Sequence, residues 1–89
     1  MNLDKINIEI KKRILELKEI IYTKYNGVGG ELHIVLDDHN TEDYYINWCI
    51  NNCINKIEDN KERQIYLECA KLLLKLSNSK RLRLLKEGK

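Results

Sequence analysis

The sequence predicts a mainly α-helical fold: a long N-terminal helix, one short β-strand, and two to three further helices. Three observations carry that prediction. Aliphatic residues recur at spacings of three and four over most of the chain, which paints an apolar stripe along a helix. Proline is absent, so Gly and Asn supply the breaks. The one departure is residues 29–40, reading GGELHIVLDDHN. There a glycine turn leads into an aliphatic, β-branched run and then an acid-rich helix start.

Residues 3–25 read as one helix. Leu3, Ile6, Ile10, Ile14, Leu17 and Ile21 form its stripe, widened by Leu15 and Ile20, while Lys and Glu fill the other side. Asn26 and Gly27 tolerate the left-handed conformation that a helix C-terminus needs. Gly29 and Gly30 then allow a sharp reversal. Residues 32–36 are the only good strand, with Leu32, Ile34 and Leu36 on one face and His33 and Val35 on the other. Asp37, Asp38, His39, Asn40 and Thr41 begin the next helix. Asn40 with Asp43 resembles a capping box, and Asp38 and Thr41 are alternative caps.

That second helix is expected to run to about residue 57. Tyr45, Ile46, Cys49, Ile50, Cys53, Ile54 and Ile57 face inward, and Trp48 stands at the margin. Asp59 and Asn60 break it. A third helix covers about residues 62–76, with Ile65, Tyr66, Cys69, Leu72, Leu73 and Leu76 as its stripe. After a break at residues 77–79, Ser79 can cap a last turn or two through Leu82 and Leu85.

At 89 residues the chain is expected to form one domain, small enough that self-association would help it. No run approaches the roughly 20 apolar residues that span a bilayer. Nor is there the apolar core of a secretory signal, so the expected location is the cytoplasm. Cys49, Cys53 and Cys69 are an odd number, which favours reduced thiols over a disulfide framework.

A lone strand needs partners for its backbone groups. Three sources are open: loops and water, the same strand of a second copy across a twofold axis, or the edge of another protein. The small size and the long stripe of the first helix tilt the balance towards a homodimer.

Several constellations were weighed for chemistry. His33, Asp37, Asp38 and His39 are the densest group of metal-ligand types, suited to a divalent metal. The strand's alternation splits them between faces, and helix capping accounts for the acids more simply. No cofactor is otherwise expected. Gly29 and Gly30 precede the strand, the reverse of the order in a phosphate loop. Cys49 and Cys53 lie one turn apart and, with Cys69, read as core residues rather than a thiolate cluster. Tyr44, Tyr45 and Trp48 cluster beside the acidic turn and suit either a binding hot spot or the edge of the core. A net charge of +2 is far from that of a dedicated nucleic-acid binder. The C-terminal stretch is locally basic, with Lys80, Arg81, Arg83, Lys86 and Lys89 against Glu87, and reads more readily as a solvated charged end than as a phosphate-contacting surface.

The GGELHIVLDDHN string, with Asp43 and the Trp48–Cys49 region, resembles a group of small phage and prophage proteins with a Gly-Gly-x-Leu-His-Ile-Val-Leu-Asp-Asp-x-Asn core. The likeness is specific over about twelve residues and loose elsewhere. It implies a viral or mobile-element origin and no particular reaction, cofactor or substrate. It implies Gly where this chain has His39, and so assigns His39 no role.

The expected function is a non-enzymatic accessory protein that binds and modulates a host factor, with a host-defence inhibitor of the anti-CRISPR type as one form. Its surface would comprise Gly29, Gly30, His33, Asp37, Asp38, Asn40, Tyr44 and Trp48. Two other classes stand beside it. One is a small metal- or ligand-dependent enzyme or binding protein using His33, Asp37 and Asp38. The other is a nucleic-acid-binding regulator using the basic C-terminus.

Overall fold

The computed structural model describes residues 3–25 and 42–87. These form four α-helices and a 3-10 turn: α1 (Leu3–Lys24), α2 (Asp43–Asn52), the turn Ile54–Lys56, α3 (Asn60–Lys75) and α4 (Asn78–Glu87). The protein is mainly helical with a long N-terminal helix, as the periodicity predicts. The expected strand at residues 32–36 falls outside the described residues, as does its proposed pairing.

At ~1.5 Å per residue, α1 is about 33 Å long. The molecule measures 38 × 23 × 22 Å, so α1 can lie only along its long axis. Helix α3 is the centre of the packing: α1 lies against it, and so do α2 and the 3-10 turn. Ile14, Leu17 and Ile21 from α1 meet Tyr66, Cys69, Ala70 and Leu73 from α3, all fully buried. Ile46, Cys49 and Ile54 complete this core from the other side. Each large aliphatic buried here contributes about 1.5–3 kcal/mol relative to exposure.

The expected stripe of α1 is not uniformly buried. Ile6 and Leu15 are each 37% exposed, and Ile8, which lies off the stripe, is 62% exposed. Core contact is therefore concentrated in the C-terminal half of the helix. On the surface, Arg13 clasps Glu68 of α3 through two bonds, Nε to Oε2 at 2.7 Å and a terminal nitrogen to Oε1 at 3.0 Å. The same guanidinium reaches Glu16 Oε1 at 3.3 Å. Hydrogen bonding from Arg13 holds the Glu68 carboxyl below the ordinary carboxylate range.

Four boundaries differ from the sequence reading. Helix α2 begins after Glu42, whose backbone takes the N-cap conformation without a side-chain cap bond. Asn40, the other half of the expected capping box, lies outside the described residues, and the Asp43 carboxylate is bound by Arg81. Helix α2 stops at Asn52, not near residue 57. Asn52 Nδ2 donates to Trp48 O at 3.0 Å, one turn back, and the backbone leaves the helical region at Cys53, with φ -123° and ψ -57°. The chain then tightens into the 3-10 turn, which drives Ile54 into the core.

Helix α3 begins at Asn60, earlier than expected, because Asp59 caps it: Asp59 Oδ2 accepts the Glu62 N–H at 2.8 Å. The last helix is also longer than a turn or two, and Ser77 starts it instead of Ser79. Ser77 O accepts the Arg81 N–H at 2.9 Å, and Ser77 Oγ accepts the Lys80 N–H at 3.4 Å. Tertiary support makes ten residues helical here: Arg81 and Leu84 are 2% and 4% exposed. No described helix is long and apolar enough to cross a membrane.

Candidate partner-binding face

The scaffold fixes both ends of the motif-bearing segment. The Tyr66 hydroxyl, on α3, donates to Tyr25 O at 2.8 Å, where the chain leaves α1. Its ring lies 6.3 Å from that of Tyr25. At the other end, Asn78 Nδ2 donates to Glu42 Oε1 at 3.1 Å. Arg81 then takes the Asp43 carboxylate. Both anchors come from the α3–α4 half of the chain. Gly29, Gly30, His33, Asp37, Asp38, His39 and Asn40 lie between them, outside the described residues.

Arg81 is the hub of the second anchor. Its Nε donates to Leu73 O at 2.7 Å and Leu76 O at 3.0 Å, the carbonyls that end α3. Its side chain is 3% exposed, whereas that of Asp43 is 69% exposed. The guanidinium is therefore held mainly by the buried carbonyls, and Asp43 joins it from the solvent side. This corrects the reading of a uniformly solvated basic end: Arg81 is structural, and Arg83 is the exposed neighbour. A cavity of about 530 Å3 opens beside this junction, with Glu42, Asp43, Tyr44, Lys75, Asn78 and Arg81 in its wall.

Tyr44 and Trp48, the two described members of the predicted surface, stand on α2. They are 72% and 46% exposed, one helical turn apart. Trp48 stacks on Tyr45, with ring centroids 6.1 Å apart and planes 8° from parallel. Asn47 and Asn51 are exposed on the same face, at the i+3 and i+7 positions from Tyr44. Their neighbours Asn52 and Asn55 are exposed too. The result is an aromatic and amide face without a charge.

The signal for that face lies in the composition of the sequence. Charged residues make up 34% of the chain, yet residues 44–55, YYINWCINNCIN, include none. An exposed helix face normally carries Lys and Glu. Depletion of charge with enrichment of Tyr and Trp is the composition of an interface centre.

The cysteines behave as core residues. Cys49 and Cys69 are fully buried, Cys53 is half-buried, and all three are free. Burial, with a smaller contribution from the Glu68 charge, pushes the Cys69 thiol up to about 12, so it is no nucleophile at neutral pH. Among the described residues, no three His, Cys, Asp or Glu side chains are placed to hold a metal ion.

Comparison with protein-family models, with curated proteins and with solved structures finds no match to this chain.

Proposed function

We propose that this is a non-enzymatic binding protein of a phage or prophage, acting in the host cytoplasm by docking on a host factor and modulating it. Inhibition of a host defence, of the anti-CRISPR type, is one form of that activity. The observation that carries the reading is the uncharged outer face of α2, with Tyr44 and Trp48 exposed on it. Large aromatics lose little side-chain freedom on docking, and asparagine amides both donate and accept. The GGELHIVLDDHN segment runs into this helix, so Gly29, Gly30, His33, Asp37, Asp38 and Asn40 would extend the same surface.

The test is affinity capture from host lysate with the tagged protein beside its Tyr44→Ala and Trp48→Ala variants. Hot-spot aromatics cost about 2 kcal/mol or more when truncated, or roughly 30-fold in affinity. One host protein should be retained by the wild type and lost by both variants, while the unfolding midpoint of Tyr44→Ala stays unchanged. Equal retention by all three proteins would remove this face from the proposal.

The same reading includes a homodimer in which residues 32–36 pair with their twofold mates. Sedimentation at micromolar concentration should give twice the monomer mass, and Ile34→Pro should return it to the monomer. A monomer across the whole concentration range sinks the pairing without touching the α2 face.

A further inference from the structure

A second cavity lies at the far end of α2, where the 3-10 turn meets the start of α3. Its volume is about 420 Å3, and its wall is Cys53, Lys56, Ile57, Glu58, Asp59 and Glu62. Three carboxylates thus face one ammonium. Asp59 is occupied as the cap of α3. Glu62 is only 9% exposed, and its Oε2 has no hydrogen-bond partner. A buried carboxylate oxygen left in that state is rare and calls for an explanation. The adjacent cation does not supply one. Arg63 spends its terminal nitrogens on Ile57 O at 2.7 Å and Asn60 Oδ1 at 2.6 Å.

We propose that this cavity binds a guanidinium group, with the Glu62 carboxylate as its acceptor and Glu58 at the rim. A compact metal ion does not suit the site, since no three ligating side chains converge among the described residues. A guanidinium carries its donors in a planar fork and reaches acceptors that are spaced more widely. It is also weakly hydrated, so losing water against the buried Glu62 carboxylate costs it less than it costs an ammonium. The volume falls within the roughly 300–1,000 Å3 of pockets that hold small ligands. Lys56 is a competitor at the mouth. The inference does not rest on the α2 outer face, because neither Tyr44 nor Trp48 lines this cavity.

The experiment titrates the full chain with Nα-acetyl-arginine amide, using Nα-acetyl-citrulline amide as the neutral isostere, and follows backbone amide shifts. Saturable shifts should appear at Glu58, Asp59 and Glu62, with affinity at least about tenfold higher for the arginine probe. Glu62→Gln keeps the shape and removes the charge. It should weaken binding by about tenfold or more and raise the unfolding midpoint of the unliganded chain. Glu9→Gln, on α1, should bind as the wild type does. Lys56→Met should tighten binding about twofold to threefold by removing a like charge. Agmatine and a capped Gly-Arg-Gly peptide then separate the sources. Tighter agmatine binding assigns the site to a free guanidinium compound, and tighter peptide binding assigns it to a protein side chain. Equal affinity for the arginine and citrulline probes, or full affinity in Glu62→Gln, overturns the proposal. So does Mn2+ binding at the same amides more tightly than either guanidinium.

Discussion

Replacing Arg81 with alanine should destabilise the protein by about 3 kcal/mol, the largest effect expected of any polar substitution in the chain. The guanidinium holds Leu73 O and Leu76 O and is 3% exposed at its side chain. Without it, Leu76 O loses its buried donor and Leu73 O keeps only the Leu76 N–H at 3.1 Å, at about 1–3 kcal/mol for a group left unsatisfied. The stem also leaves a void between α3 and α4. Domains of this size are stable by only about 5–15 kcal/mol, and each kcal/mol moves the midpoint by roughly 4–8 °C. A fall of at least about 12 °C in thermal unfolding is therefore expected. Arg81→Lys should recover less than half of the loss, because an ammonium lacks the fixed guanidinium geometry that puts Nε on the carbonyls and a terminal nitrogen on Asp43. Asp43→Asn should cost about 1 kcal/mol or less, since that carboxylate is 69% exposed and returns to water. An Arg81→Ala protein within about 1 kcal/mol of wild type would show that the carbonyls find other donors.

Leu17→Ala should cost about 2–5 kcal/mol, the range for deleting a fully buried leucine. Leu17 sits between Ile14 and Ile21 on the face of α1 that meets α3. The loss combines the missing transfer energy with the cavity that incomplete relaxation leaves. The informative comparison is Ile8→Ala on the same helix, where a 62% exposed side chain should change stability by no more than about 0.5 kcal/mol. Urea unfolding of the two variants measures both numbers. Similar values would mean that α1 is not packed as described, or that its N-terminal half is covered in solution by a second copy.

Much of this architecture was legible from spacing alone. The apolar stripes of α1 and α3 identify two packed helices, and Ile14, Leu17, Tyr66, Cys69 and Leu73 are predicted to face inward and do. The misreadings share one cause: a local signal was outweighed by something distant in sequence. Arg81 belongs to a basic stretch that looks solvated, and only the carbonyls of Leu73 and Leu76 give it a buried role. Asp43 reads locally as a helix-start residue, and only the fold brings Arg81, 38 residues on, to its carboxylate. The short α2 ends where the backbone turns at Cys53 to bring Ile54 into the core, and periodicity, which continues through Ile57, does not register that turn. Of the candidate site, Tyr44 and Trp48 stand exposed as a binding role requires. The missing charge between Tyr44 and Asn55 was readable from the first and marks the surface better than either aromatic does.

The uncharged face of α2 also sets how fast a partner can arrive. Electrostatic steering lifts association rates towards 10⁸–10⁹ M⁻¹s⁻¹ when oppositely charged surfaces meet, and a neutral patch forgoes it. Encounter at this face should proceed at roughly 10⁵–10⁶ M⁻¹s⁻¹ and change little with ionic strength. Tight binding would then have to come from slow escape, so the lifetime of the complex is where Tyr44 and Trp48 would act.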